Sequence, residues 1–299
     1  MSRGLKEKAE ALLAAEQGAV RKARGADIEV ALAYPNTYHV GMSNLGVHQL
    51  YSILNQRPDT SCERVFLPDE DDIPEYARSG TRLFSLESRR PVRDFDILAF
   101  SVSFEQDYLN VLEMLRLAGI AIDKKARGPD DPFLLLGGIC SFFNPEPLAD
   151  IFDAVIIGEG EDAAGEFLDV YAANREKGRH DMLSALCRVP GVYIPEFYEI
   201  SYDRDGALRE RIVLEPGAPA MITKRTTASL SSTIPALNPA LSRMPTTRTA
   251  ETASTMSAAG RLPIAPVATH PPATGSKSMG LAVRTAGRWM PKSSRNESM

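Results

Sequence analysis

Four glycine- and polar-rich loops constrain this chain most, because each follows a short apolar run and precedes a helical pattern. They span residues 34–46, 101–107, 137–147 and 158–161. In an open α/β sheet, ligands bind outside the carboxyl ends of the strands, where such loops lie. The sequence up to about residue 160 therefore predicts a domain that binds a ligand of cofactor or nucleotide size.

The alternation of strand and helix patterns predicts a doubly wound, five-stranded parallel sheet. The expected strand order is 2-1-3-4-5, which puts the switch point between the first and third strands, beside the loops 34–46 and 101–107. The first helix is predicted to end at Gly25, and the fourth to bury Leu109, Leu112, Leu115 and Ala118. The predicted strands are residues 27–33, 64–67, 96–102, 133–136 and 154–157, and the helices are residues 5–24, 44–55, 70–79, 106–118, 145–151 and 161–177.

The pattern changes after residue 177. A short helix over 182–187 precedes two strands, 197–202 and 208–214, joined by a hairpin turn at 203–206. This predicts a small β appendage that leads away from the sheet. The expected organisation is an amphipathic helix (1–25), the α/β domain (26–178), an α+β appendage (179–222) and a tail (223–299).

The tail differs from the rest of the chain in charge and composition. From residue 223 there are ten basic and two acidic residues, a net charge of +8, whereas the other 222 residues carry a net −13. The tail has Trp289 as its single aromatic residue and no apolar periodicity, so it can bury little apolar surface, and we expect it to be disordered. Its basic residues are scattered without interleaved aromatic residues, so nucleic acid is not the expected partner.

Composition favours a cytoplasmic protein without a membrane partner. The start is charged and lacks the apolar core of a signal peptide, and the longest apolar stretch, residues 133–143, is too short to span a bilayer. The three cysteines, Cys62, Cys140 and Cys187, lie far apart in sequence, which favours neither a disulfide framework nor a paired-cysteine motif.

The loop residues supply backbone and small polar groups rather than a catalytic set. Glycines permit close approach of a ligand, and Ser43 or Asn44 is a ready N-cap for the next helix. Each feature also has a structural interpretation: a capped turn, an ordinary strand-to-loop turn, or carboxylates that favour the positive end of a helix dipole. The candidate cofactor-binding residues are Tyr34, Asn36, Thr37, Gly41, Ser43, Asn44, Ser101, Ser103, Glu105, Gly137, Gly138, Gly158, Glu159, Gly160 and Glu161.

The other chemistry-bearing residues stand alone in sequence. His39 is expected to be a hydrogen-bonded loop histidine, His48 a packed or solvated helix residue, and residues 69–72 a solvated acidic turn. The cysteines are expected to be small buried hydrophobic residues. We therefore predict no catalytic or metal residues from the sequence.

The loops in combination resemble one family. The matching segments are Tyr34-Pro-Asn-Thr-Tyr-His-Val-Gly-Met-Ser-Asn-Leu-Gly46, Cys62-Glu-Arg-Val-Phe-Leu-Pro-Asp69, Ser85-Leu-Glu-Ser88, Phe95-Asp-Ile-Leu-Ala-Phe-Ser-Val-Ser-Phe-Glu105, Gly137-Gly-Ile-Cys140, Asn144-Pro-Glu-Pro-Leu148 and Gly158-Glu-Gly-Glu161. From about residue 27 to residue 221 the chain resembles the N-terminal part of the cobalamin-binding-type radical S-adenosylmethionine (radical SAM) proteins. The resemblance implies a Rossmann-like (flavodoxin-like) domain that binds cobalamin and precedes a radical enzyme barrel.

Two departures from that family matter. The Asp-x-His-x-x-Gly motif that supplies a lower axial histidine in many cobalamin domains is absent around His39. The family's barrel opens with Cys-x3-Cys-x2-Cys, which holds a [4Fe–4S] cluster and S-adenosylmethionine, yet this chain has no cysteine after Cys187, so it is not expected to bind either.

From this we expect a cobalamin-binding domain that is not catalytic alone and that a separately encoded barrel could complement. The alternative is a cofactor-free docking module of the same fold. A shifted reading frame after residue 221 is a hypothesis for the tail, which a Cys-x3-Cys-x2-Cys sequence in another frame of the gene would support.

Overall fold

The computed structural model of the chain describes residues 2–22 and 25–226. Most of the predicted tail, residues 227–299, lies outside the described residues. A six-stranded sheet has the order β2-β1-β3-β4-β5-β6, and the first five strands are parallel. The strands are β1 (Ile28–Tyr34), β2 (Thr60–Phe66), β3 (Ile97–Ser101), β4 (Phe133–Gly137), β5 (Ala154–Ile156) and β6 (Val192–Tyr193).

The predicted 2-1-3-4-5 order is confirmed, but the count of five strands is wrong. Tyr193 was expected in an appendage that leads away from the sheet. It lies instead in the antiparallel edge strand β6, where it pairs with Val155 of β5. Two residues are too few to show the period-2 pattern by which a strand is predicted. The hairpin itself is confirmed as β7 (Tyr198–Tyr202) and β8 (Leu208–Val213), an antiparallel pair outside the main sheet.

Most helices follow the strands as predicted, with different bounds, but the predicted helix over 145–151 is only a 3-10 turn, Glu146–Leu148, and two short helices lie in predicted loops. They are α1 (Arg3–Ala15), α2 (Tyr38–Gly41), α3 (Leu45–Gln56), α4 (Ile73–Ser79), α5 (Tyr108–Ala118), α6 (Ile139–Phe143), α7 (Gly160–Asn174) and α8 (Arg179–Leu186). In α5 the predicted face is wrong in part, because Leu109 is 74% exposed while Val111 and Met114 are buried. Among the described residues, no helix combines the length and apolarity needed to cross a bilayer.

The edge strand β2 is longer than predicted because side chains from neighbouring segments satisfy its backbone. The Asn55 side-chain amide donates to the Cys62 carbonyl at 3.0 Å, and its Oδ1 accepts from the Cys62 N–H at 3.1 Å. The Arg64 N–H donates to a Glu87 carboxylate oxygen at 2.7 Å. These contacts replace the ladder bonds that a neighbouring strand would make.

A buried ion-pair network fixes the N-terminal segment on this edge. The Arg64 guanidinium lies 2.6 Å from Glu16 and 2.7 Å from Glu87, and all three side chains are at most 3% exposed. The Tyr38 hydroxyl also donates to Glu16, at 2.7 Å. Because Glu16 points into this network, the first helix ends at Ala15, and the prediction that it continues to Gly25 is wrong.

We predict that Arg64→Met lowers the free energy of unfolding by about 3–5 kcal/mol, since it leaves two buried carboxylates without their cation. Urea denaturation followed by circular dichroism measures this. Arg78→Met is the matched control, because Arg78 pairs with Glu75 on the surface and its loss should change stability little. Equal losses in the two variants would contradict the importance of the buried network.

Candidate functional site

A pocket of about 370 Å³ lies between one face of the sheet and the helices α3 and α7. We call it the sheet-face pocket. Polar residues of the strand-end loops also border it, which places its mouth at the carboxyl edge of the sheet. Its apolar wall includes Val30, Leu32, Leu50, Leu54, Ile97, Ala99, Leu135, Ala164, Phe167 and Leu168.

The strand order explains why a pocket forms here. β1 pairs with β2 on one side and with β3 on the other, so the order of the strands reverses at β1. Connections leaving β1 and β3 diverge at such a switch point and leave a crevice between them. The pocket wall contains residues from β1, β3 and β4, so it spans this crevice.

The mouth of the pocket carries polar side chains from three of the four loops. Asn44 caps α3, because its Oδ1 accepts from the Val47 N–H at 3.1 Å, and its Nδ2 donates to the Ser103 hydroxyl at 3.1 Å. Ser101, Glu159 and Glu161 border the same space. Amides, hydroxyls and carboxylates together suit a ligand that carries several hydrogen-bonding groups.

The structure brings together nine of the fifteen residues predicted from the sequence. The nine that border the pocket are Asn44, Ser101, Ser103, Gly137, Gly138, Gly158, Glu159, Gly160 and Glu161. Six do not border it: Tyr34, Asn36, Thr37, Gly41, Ser43 and Glu105. Tyr34 is 1% exposed in the core, and Ser43 donates to the Val40 carbonyl at 2.6 Å.

Sequence reasoning missed the apolar wall and one cation. Leu50, Leu54 and Phe167 are ordinary apolar helix residues that carry no signal of a ligand in the sequence, and neither do the small residues Ala99 and Ala164. Lys224 also borders the pocket, with its ammonium 3.7 Å from the centre of the Phe142 ring. The available signal was the coincidence of small residues on facing elements, which only the fold brings together.

The adjacent glycines at the end of β4 have different surroundings. A Cβ on Gly138, whose φ is +97°, would lie 2.5 Å from the Val102 carbonyl oxygen and 2.6 Å from its nitrogen. A Cβ on Gly137 would meet nothing closer than 3.9 Å. Gly138 therefore allows the backbone after β4 to pass close to the backbone of Val102 after β3. Gly137 has no such neighbour, and it borders free space in the pocket.

We predict that Gly138→Ala lowers the free energy of unfolding by about 1–3 kcal/mol or more, from backbone strain and the clash with Val102. Gly137→Ala, one residue earlier, should leave stability within about 1 kcal/mol of the wild type. Thermal and urea unfolding of the two variants provide the comparison. Comparable destabilisation by both would show that Gly137 is also constrained by packing.

Asp107 is a buried carboxylate that joins the loops after β1 and β3. Its Oδ1 accepts from Asn36 Nδ2 at 2.9 Å and from Asn110 Nδ2 at 3.2 Å. Its Oδ2 is buried and has no hydrogen-bond partner. Burial raises the pKa of Asp107 above its usual range, and the two amide donors offset only part of that shift.

We predict a pH-dependent gain of stability for Asp107→Asn. Because the folded-state pKa of Asp107 is raised, the wild type loses stability as pH rises from the ordinary aspartate range through that raised pKa. The asparagine variant avoids this loss, so at pH 7 it should be more stable by on the order of 1 kcal/mol. The difference should vanish at pH values below the ordinary aspartate range.

Urea unfolding of both proteins across pH 3–8 measures this difference. Glu105→Gln, which removes a carboxylate from an exposed side chain two residues earlier, is the control and should change stability little. A loss of stability in Asp107→Asn that is independent of pH would contradict the prediction.

The two histidines His39 and His48 and the acidic turn at residues 69–72 lie outside the pocket. His39 is exposed, and His48 is buried with its Nε2 2.8 Å from the Met42 carbonyl oxygen. Asp69 and Asp72 both pair with Lys8, at 2.7 and 2.5 Å. Within residues 2–22 and 25–226, no cluster of three His, Cys, Asp or Glu side chains is placed to hold a metal ion.

The three cysteines are buried on separate elements, as predicted. Cys62 lies in β2, Cys140 in α6, and Cys187 directly after α8. Burial raises the pKa of each thiol above its usual range, so the thiol form is favoured over the thiolate that binds iron.

Fold and pocket together define an α/β domain with a ligand-sized site at the switch point of its sheet. Residues 46–195, half of the chain, match the family described as "Radical SAM proteins, N-terminal". The chain belongs to this family.

One relative carries a similar region within a longer protein. The "Uncharacterized protein MJ0966" of Methanocaldococcus jannaschii (strain ATCC 43067 / DSM 2661 / JAL-1 / JCM 10045 / NBRC 100440) is 29% identical over 147 residues. The match covers 49% of this chain and 27% of the relative, so the chain spans about a quarter of the relative's length.

Among solved structures, the D-alanyl-alanine synthetase A of Vibrio cholerae O1 biovar eltor str. N16961 is similar with a TM-score of 0.23 and 11% identity. That alignment covers 70% of this chain and 76% of the synthetase. A similarity at this level supports no argument about fold or activity.

Proposed function

We propose that this domain binds a cofactor in the sheet-face pocket and that the cofactor is cobalamin, held by its nucleotide tail. The observation that carries the proposal is the pocket itself, an apolar space at the switch point with hydrogen-bonding groups at its mouth. Small-molecule sites in α/β folds have this composition and this position. Bound cobalamin would supply cobalt-centred chemistry, and the protein would supply position and environment.

The size of the pocket suits part of a cobalamin molecule. Its volume of about 370 Å³ is at the lower end of the roughly 300–1,000 Å³ typical of small-molecule sites. A tail that ends in an aromatic base would bury its apolar faces against the wall formed by residues such as Leu50, Ala99 and Phe167. Burial of apolar surface contributes roughly 25 cal/mol per Å², which makes the wall the main source of affinity.

The polar mouth would hold the groups that follow the base. Asn44, Ser101 and Ser103 offer amide and hydroxyl groups, and Glu159 and Glu161 offer acceptors for amide or hydroxyl donors. Among the described residues, no histidine borders the pocket. Binding would therefore depend on shape and hydrogen bonds, and no protein ligand below the cobalt is part of the proposal.

The residues present do not fit an iron–sulfur cluster. All three cysteines of the chain are buried, lie on separate elements, and have raised thiol pKa values. Three buried and separated thiols therefore do not provide the ligands for a cluster or the iron site at which S-adenosylmethionine binds. In the full-length family those groups are implied by membership among radical SAM proteins.

We predict that hydroxocobalamin binds this chain stoichiometrically and that Ala164→Leu weakens binding at least tenfold. Ala164 borders the pocket on α7, so a leucine there fills space that the tail needs. Ala172→Leu is the matched control, because the same substitution on an exposed part of the same helix leaves the pocket unchanged. Absorbance titration and retention through a desalting column measure binding.

Two results would overturn the cobalamin proposal. One is loss of the cofactor from folded wild-type protein on desalting. The other is equal weakening by Ala164→Leu and Ala172→Leu, because binding would then not depend on the pocket.

A cofactor-free docking module is the second candidate, and an exposed apolar rim favours it. Six large apolar side chains from the segments that follow β1, β3 and β4 face solvent around the same edge: Val40, Leu45, Phe104, Leu109, Ile139 and Phe143. Exposed apolar surface of this kind is typical of protein interfaces. The candidate partner is a separately encoded radical SAM barrel.

Calorimetry with a barrel domain from a longer family member tests this candidate. Binding should occur without cobalamin and should be lost when Phe104 and Phe143 are both changed to serine. Ile122→Ser, at an exposed apolar residue outside the rim, is the control.

A further inference from the structure

The segment after the hairpin returns to the sheet and borders the sheet-face pocket. We call residues 222–226 the strap. The Arg225 N–H donates to the Ile157 carbonyl at 2.9 Å, and the Arg225 carbonyl accepts from the Glu159 N–H at 3.0 Å. These two bonds form a parallel bridge between Arg225 and Gly158. The strap thus adds one strand-like residue beside the end of β5.

Two glycines make room for the strap. A Cβ on Gly158, whose φ is +119°, would lie 2.2 Å from the Arg225 carbonyl oxygen. A Cβ on Gly191, whose φ is +84°, would lie 3.0 Å from the Arg225 Cβ. The close approach predicted from the sequence at Gly158 is thus made by the protein's own backbone.

Side chains tie the strap to the helices that form the pocket. The Arg225 guanidinium forms an ion pair with Glu166 on α7. Lys224 lies over the Phe142 ring of α6 and borders the pocket mouth. Ile222 packs against the core. The strap is therefore one side of the mouth, between α6 and α7.

We infer that the strap sets the width of the pocket mouth and so controls the size of the ligand that enters and the rate at which it exchanges. The main-chain bridge and the Arg225–Glu166 pair hold the strap in place, and its release removes Lys224 from the mouth. The inference rests on the proposed function for its biological meaning, since it concerns access to the same pocket. The strap and its attachment to Gly158 do not depend on which ligand binds.

A thiol placed in the pocket tests the inference without a ligand. Ala164→Cys supplies the thiol, and the parent protein gives the background from the three buried native cysteines. Labelling rates are measured with N-ethylmaleimide, a small reagent, and fluorescein-5-maleimide, a bulky one. The rate with each reagent is measured in three proteins: Ala164→Cys alone, Ala164→Cys with Glu166→Gln, and Ala164→Cys with Gly158→Ala.

We expect bulky labelling to be about 1.5- to 5-fold faster with Glu166→Gln, as for loss of a partly exposed ion pair. Gly158→Ala should raise the labelling rate with the bulky reagent on the order of tenfold, because a Cβ at this strained position prevents Arg225 of the strap from packing against it. Labelling by N-ethylmaleimide should change less. Asp169→Asn is the control, because Asp169 lies on the same helix as Glu166 but pairs with Arg57, at the end of α3, and not with the strap.

Unchanged bulky labelling in both strap variants would overturn the inference. Equal acceleration of the small and bulky reagents would also overturn it, because it would indicate general loosening. Gly158→Ala could unfold, and Glu166→Gln then decides alone, since it alters a half-exposed side chain.

Hydroxocobalamin dissociation, followed by absorbance, should accelerate in the same variants. If no variant binds cobalamin while bulky labelling responds as expected, the strap inference stands and the cobalamin proposal fails. If cobalamin binds the wild type but its dissociation is unaffected by the strap variants, the strap inference fails and the cobalamin proposal stands.

Discussion

The pairing of β1 with strands on both of its sides is the constraint on which the rest of the structure depends. β1 forms parallel ladders with β2 and β3, and six of its seven residues are buried. Because the strand order reverses at β1, the connections after β1 and β3 diverge. Helices α3 and α7 then cover one face of the sheet without closing over it. The pocket is the space left between these two helices and the sheet.

Small side chains keep that space open. Ala99 and Ala164 border it, on the sheet and on α7 respectively. Larger residues at these positions would complete an ordinary core. Cavities left by engineered truncations cost roughly 24 cal/mol per Å³, so an apolar space of this size is a substantial loss of packing energy unless a ligand or solvent occupies it. The arrangement favours a binding role over a packing defect.

The strand order and the polar mouth could be predicted from sequence because both depend on local patterns. Apolar runs predict buried strands, and loops at their carboxyl ends must meet at one edge of a parallel sheet. The end of α1 could not be predicted, because Glu16 meets Arg64 across 48 residues of sequence. For the same reason Lys224 was missed, and Gly158 was interpreted as a ligand contact although it meets the backbone of Arg225.

The pocket and the apolar rim lie at the same edge of the sheet, so an occupant larger than the pocket would also contact the rim. A pocket of about 370 Å³ can enclose the tail of a cobalamin but not the whole molecule, so the remainder would lie outside it, beside the rim. Exposed side chains such as Phe104 and Phe143 would then contact either the cofactor or a partner that covers it. Either occupant removes apolar surface from water, which is the larger driving force. On this argument the two candidate functions are alternatives only if the pocket stays empty; if it fills, the rim becomes the place where cofactor and partner meet.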